Sequence, residues 1–509
     1  MTVESRSIAH VHSTYRLPET QLGARARLDA LLERVLDAAL DDALARAGVA
    51  PGEEVCIRTV ATDARLRLAS TDETLVAEWS AVLAAALAAA IRSGEPGAVR
   101  FASRRHALVD LVVATAMADV RRAWAWRQLG LWPDEDAVDG IQAAARLVDA
   151  LSAEPQSVVA VLAAAARRGA LPRLAVLIGA GGWARLARAA LAAAGGPAEL
   201  LDEAAAQAAA DPAGEDEAEV LARRVSSVSA IATAAIGSGV VAGLAPSARR
   251  AVAVLVTLEA DPGALAALRG VAKLHLVDAV ADELDVAPYR RGTGAQAPGA
   301  KRRTTDSRSV LADADAESEA RRGAGQPEQR PTDHNAQFDA DDADCAGAPP
   351  DVRVRAWTRA GGLLFLLPLV AGLDPLPGRT HRWTLHRLGL VLLPGLDEAD
   401  PAALAFAGLG PDDPPPSDGD EAPTEQELEA LHGVATAVAG ELAELLERQP
   451  EKDIVGTVCS RRAEIVADPG WIEVRLDTAE LDIDVRRAGL DLDPGWLPWL
   501  GVVVRFVYE

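Results

Sequence analysis

The chain has 509 residues, a formal net charge of −24 and three cysteines. That length can bury a large core without disulfide staples, and so acidic a balance offers no basic face for nucleic acid. Cys56, Cys345 and Cys459 are odd in number and form no CxxC pair, which excludes a disulfide framework or zinc ribbon and fits a reducing, cytoplasmic compartment.

Half of the residues are hydrophobic and only 4% are aromatic. An Ala-, Leu- and Arg-rich chain of this kind favours helix along most of its length. The expected class is therefore α+β, mainly α-helical. Met1–Leu17 lacks the basic-then-apolar layout of a secretion signal.

The alternation from Ser7 to Leu17 predicts a first strand with Ile8, His10 and His12 on one side. An amphipathic helix follows from about Gln21 to Ala47, with Leu28, Leu32, Val35, Leu36, Leu40 and Leu44 on its stripe, closed by Gly48 and Pro51. Val55–Thr59 and Leu66–Leu68 read as one or two strands, and Asp72 caps a helix to about Arg92. Residues 1–100 thus read as an N-terminal β-α-β-α unit. Residues 101–289 read as a helical bundle, its helices separated at Pro133, Pro155, Pro172, Pro197, Pro212, Pro246 and Pro262.

Residues 290–353, rich in Arg, Asp, Gly, Gln and Pro, offer no core and are expected to be a disordered linker. Residues 354–509 form the last domain. Helical patterns cover Trp357–Ala371, Thr380–Leu393 and Pro401–Phe406, and Thr424 with Glu427 forms a capping box for a helix to about Arg448. The close is β: Trp471–Leu476, Leu481–Val485 and Val502–Tyr508 are expected to pair in a small antiparallel sheet. The tetrapeptide Asp-Pro-Gly-Trp stands before the first and again at Asp493–Trp496.

Two apolar stretches bear on membranes. Gly362–Leu373 is too short to cross and contains Pro368; Val225–Ala248 is long enough but reads as two helices joined by a glycine turn. No stable membrane span is expected.

Candidate chemistry is sparse. Gly179-Ala180-Gly181-Gly182 after Leu174–Ile178, with Asp202 further on, fits a GxGxxA dinucleotide turn; the flanking residues read as helix with no strand to complete a βαβ unit, which favours an ordinary glycine cap between helices. His10 with His12, and His381 with His386, have no third ligand in sequence, so no metal or cofactor is assigned. No GxSxG, P-loop or kinase motif is present, and no catalytic residue is assigned. Trp124, Trp126, Trp471, Trp496, Pro498 and Trp499 are the candidate interaction residues, as large apolar surfaces at corners and strand edges.

The ends of the chain resemble the tape-measure-type proteins of phage-tail-like contractile injection systems. The resemblance is carried by Ile8–His12, Pro51–Arg58, the Trp124–Trp126 corner, Gly361–Pro368 and Gly495–Leu500. It implies a non-enzymatic structural or assembly component, cytoplasmic or incorporated into a released particle, with tube, baseplate or cap proteins as partners. A ruler should be one long helix; helices broken by proline and folded ends fit an adaptor as well. The alternatives are an NAD(P)-dependent oxidoreductase built on Gly179–Gly182 and a generic helical scaffold.

Overall fold

The computed structural model describes residues 8, 10–21, 23–50, 52–93, 97–133, 140–201, 215–267, 271–293, 353–418, 422–447 and 453–509. The proposed linker at 290–353 lies almost entirely outside them, as do Asp202 and Cys345. The polypeptide on either side of residues 289–349 packs as one unit, so the bundle and the C-terminal domain are not separate bodies. The protein is mainly helical with a small β component, an α+β fold.

Helix α1 (Ala24–Ala47) buries Leu28, Leu31, Val35, Ala39 and Ala43 at a three-to-four residue spacing; of the expected stripe only Leu28 and Val35 are fully buried, and Leu32, Leu36, Leu40 and Leu44 are half-buried beside this seam. Gly48, at φ +64°, ends it by donating to Leu44 O and Ala45 O. Helix α2 (Asp72–Ser93) lies beside α1 in the same direction. Arg27 ties its start to Asp72, Leu68 O and Ser70 O, while Arg92 reaches Arg46 O at the other end. Between and after the helices, β1 (Glu54–Ile57) and β2 (Ala98–Phe101) pair antiparallel. The order is thus α-β-α-β. Among the described residues from Ile8 to Pro18 no strand forms: without a neighbour to accept its hydrogen bonds, alternation alone does not make one. Leu66 and Leu68 are likewise irregular, and β2 was not foreseen.

The bundle comprises α3 (Arg104–Ala116), α4 (Ala123–Gln128), α5 (Gly140–Ala153), α6 (Val158–Arg167), α7 (Leu171–Ala193), α8 (Glu215–Val228), α9 (Ala230–Ser238), α10 (Pro246–Ala260), α11 (Pro262–Ala267) and α12 (Val271–Thr293). Pro172, Pro246 and Pro262 sit in the first turn of their helices, where the missing N–H costs nothing. Helix α10 is buried on every side from Arg250 to Ala260 and forms the axis of the bundle. Its one deep guanidinium, Arg250, donates to Leu200 O and pairs with Asp278.

By length and composition, α2 and α7 are apolar enough to cross a membrane. Helix α7 is interrupted at Gly179, and the 225–248 stretch is divided into α8 and α9, bent by 85° at Ser229. Ser229 N-caps α9 at that bend, and the expected glycine turn lies one helix later, where Gly239 at φ +68° ends α9 ahead of α10.

The C-terminal lobe opens with β3 (Val354–Thr358), which takes the first two residues of the helix expected over Trp357–Ala371; most of the remainder forms a 3-10 helix over Gly361–Val370. Gly361 and Gly362 let that apolar turn lie against Ala463 and the backbone at Val458–Cys459, where a Cβ would collide. Helices α13 (His381–Leu392), α14 (Pro401–Phe406), α15 (Glu425–Leu445) and α16 (Ile454–Cys459) follow. The Thr424–Glu427 capping box forms.

Strands β4 (Ala463–Asp468), β5 (Trp471–Leu476), β6 (Gly495–Leu497) and β7 (Val502–Tyr508) join β3 in the order β3-β4-β5-β7-β6. The last strand is central, as its continuous apolar run predicts. The sheet is mixed, because β5 and β7 run parallel. Leu481–Val485 is no strand: it follows a 3-10 turn at Thr478–Glu480 and runs into α17 (Ile483–Arg487), with Asp482 capping by accepting from Asp484 N. Val485 is buried, but Leu481 and Ile483 are exposed. Two parallel neighbours need a crossover, and this helical turn belongs to it. Phe365 and Phe506 meet edge to face at 5.0 Å where the 3-10 helix covers the sheet.

Candidate functional site

A cleft of 940 Å³ lies between the bundle and the C-terminal sheet. One wall comes from α6, α7, α9 and α10, the other from residues 408–418 and the two Asp-Pro-Gly-Trp corners. Each corner is held by a bundle residue.

The first corner turns β4 into β5. Gly470 takes φ +71°, a backbone state that L side chains avoid. Its carbonyl accepts from Arg105 at 2.6 Å, and Arg105 also donates to Ser157 Oγ at 2.9 Å and stacks 5.3 Å from the Trp471 ring. Burial pulls the Arg105 guanidinium below its ordinary value, with Asp468 and Glu154 acting in the opposite direction. Asp468, also buried, lies 3.3 Å from Arg353 and 3.8 Å from His106.

The second corner precedes β6. Asp493 accepts from Phe506 N at 2.7 Å, Gly495 takes φ +70°, and the Trp496 indole donates to Ala193 O at 2.9 Å. That bond satisfies one of the open carbonyls at the end of α7.

A third joint lies between α10 and α13. Asp261 is fully buried, and its two carboxylate oxygens accept from Ala264 N at 3.2 Å and His381 N at 2.8 Å. Burial raises its pKa to about 7, against the lowering by the His381 amide, Arg382 and the Ala264 amide. Burial also lowers His381 to about 4; its Nε2 lies 3.1 Å from Leu373 O and its ring meets Trp499 edge-on at 5.7 Å.

The structure therefore brings Trp471, Trp496 and Pro498 to one cleft, with Trp499 at the adjoining joint. Trp124 and Trp126 are elsewhere. Trp126 is fully buried, donates to Asp110 at 3.0 Å and packs edge-on against Trp132, while Trp124 lines the same bundle core. The candidate interaction residues thus divide into a core pair and a cleft group.

Leu174–Ile178 is helical, so the strand that a dinucleotide turn must follow is not there. Gly179, at φ +59°, breaks α7, and Gly182 lies so close to Ile178 and Val148 that it serves packing. His10 and His12 lie on irregular, exposed chain, and His386 Nε2 lies 2.8 Å from Glu398 O. Among the described residues no group of three His, Cys, Asp or Glu side chains could hold a metal ion.

Sequence reading missed Arg105, Asp261, Arg167 and Arg382, the charged residues of the cleft and its joints. The available signal was a charge inside an apolar helical run, as in His381-Arg382-Trp383. Comparison with protein-family models, with curated proteins and with solved structures finds no match.

Proposed function

We propose that the protein is a structural or assembly component of a contractile injection particle, acting as a tube-associated adaptor more than as a measuring rod. The reading rests on the resemblance of its terminal segments to tape-measure-type proteins. The observation that favours it is that those segments serve as joints within the fold, two of them against each other and the others against β4 and the end of α7. Cys56 in β1 contacts Ala125 O in the Trp corner, and Gln128 reaches back to Ile57 O. The Gly361–Pro368 block presses on β4, and Trp496 bonds the end of α7. Among the described residues the longest unbroken helix, α1, has 24 residues, about 36 Å at 1.5 Å per residue, and packs against α2 instead of extending alone. A body held by such joints suits docking between other components.

The test is deletion of the gene in its native cluster, with particles imaged by electron microscopy and the tagged chain used for co-purification. The expected result is loss or misassembly of particles and recovery of tube or baseplate subunits with the chain. Normal particles in the deletion strain would sink the proposal and leave the generic scaffold reading.

A further inference from the structure

Strand β3 is an outermost strand of the C-terminal sheet, paired to β4 alone. Val354, Ala356 and Thr358 face the core side with their partners Ala467, Ile465 and Ala463. Arg355, Trp357 and Arg359, the last just past the strand, alternate onto the outer face and are exposed. Of the ten tryptophans only Trp357 is exposed, to 62%. Among the described residues no backbone bond reaches the outer edge of β3. An open edge is ordinarily blunted or covered, and an indole is not what blunts it.

The charges around this indole are positive, although the chain as a whole carries −24. Arg462 stacks 4.9 Å from the Trp357 ring. Arg355 lies 3.9 Å from Glu464, which also stands 4.0 Å from Arg475. Arg475 has Glu473 at 2.7 Å as its closer partner. Asp400, at the end of β3, accepts from Thr358 Oγ1 and Ala402 N. Arg359 and Arg462 form no hydrogen bond or salt bridge among the described residues.

An open edge takes an extended segment as one more strand, with main-chain bonds giving affinity and alternate side chains giving selectivity. The arginines decide among occupants. A second copy pairing antiparallel about Trp357 would set each copy's Arg355 opposite the other's Arg359, and a parallel copy in register would set each arginine against itself. Like charges directly opposite destabilise a ladder. Nucleic acid would approach a chain of net charge −24. We propose that β3 docks an extended acidic segment of a partner protein with the pattern acid-x-apolar-x-acid. Its apolar residue lies against Trp357 and its two acids stand opposite Arg355 and Arg359, with Arg462 beside the same strip. This surface is independent of the injection-particle reading.

The experiment is fluorescence polarisation of labelled peptides titrated with the full chain at low ionic strength. The probe is Gly-Glu-Thr-Val-Thr-Glu-Gly. Its controls are the same peptide with lysine for both glutamates, the probe N-methylated on its three central amides, and a single-stranded oligothymidylate. The probe should bind saturably, and the lysine and N-methylated peptides should bind about tenfold more weakly or worse. Arg359→Glu and Trp357→Ala should each weaken the probe about tenfold. Both side chains are exposed, so the melting temperature of each variant should match that of the parent chain. Absence of saturable probe binding, equal binding of the N-methylated peptide, or binding unchanged in either variant overturns the proposal. Oligothymidylate binding tighter than the probe overturns it in favour of nucleic acid. A dimer in sedimentation that Trp357→Ala abolishes overturns it in favour of a second copy.

Discussion

Asp261→Asn is the most informative single change at the joint between the bundle and the C-terminal lobe. The folded chain raises the Asp261 pKa to about 7 from its ordinary value of 3.8, chiefly through burial. A folded pKa above the unfolded one means that the folded state holds the proton more firmly. The stability this confers is fully present below about pH 4 and is lost as pH rises through 7. At about 1.4 kcal/mol per unit, the whole shift corresponds to roughly 4 kcal/mol. The chain approaches zero net charge near its pI of 4.8, where association intervenes, so the usable window begins near pH 5.5. Between pH 5.5 and 8 the native protein should lose about 2 kcal/mol relative to the Asn variant, which cannot ionise. Against this slope stands a nearly pH-independent offset. The Asn amide can accept from only one of Ala264 N and His381 N, and the other buried donor left open costs about 1–3 kcal/mol. The assay is urea unfolding of both proteins at pH 5.5, 6.5, 7.5 and 8, followed by circular dichroism. The reasoning fails if the stability difference between them is flat with pH, or if the native protein gains on the variant as pH rises.

Two further predictions follow from the packing. Gly181→Ala has open space and a helical backbone, so it should stabilise by about 0.4–1 kcal/mol, whereas Gly182→Ala places a Cβ 2.6 Å from Ile178 Cβ and should destabilise by about 1–3 kcal/mol; a dinucleotide turn would instead make either change show up in NAD(H) binding, read by fluorescence. Trp496→Phe keeps most of the ring but removes the bond to Ala193 O, so thermal unfolding should report a loss of about 1 kcal/mol, and an unchanged melt would show that water satisfies that carbonyl equally well.

Local rules carried the helical part of this fold. Leu28 to Leu44 repeat at helical spacing, Thr424 and Glu427 cap reciprocally, and Pro172, Pro246 and Pro262 mark helix starts, because all of these depend on residues within one or two turns. Strands depend on neighbours distant in sequence. Val354–Thr358 pairs with Ala463–Asp468, more than a hundred residues away, and nothing local distinguishes it from the start of the apolar Gly361–Val370 turn. Leu481-Asp482-Ile483-Asp484-Val485 alternates perfectly and still becomes a cap and a helical turn. Asp482 finds Asp484 N at 2.9 Å, the short-range bond by which Asp competes with a strand ladder.

The cleft was half legible for the same reason. Tryptophan after Asp-Pro-Gly announces a corner with a large apolar surface, and both corners form. What the surface faces is a tertiary matter. A corner in solution would leave Trp471 and Trp496 for an external partner; here Arg105 and Ala193 O, each more than three hundred residues away in sequence, engage them first. The consequence bears on partner binding. Indoles that anchor two lobes of one chain to each other are only partly free to anchor another protein, and their half-burial leaves the remaining ring surface turned to the cleft. A partner that used these tryptophans would have to enter between the lobes.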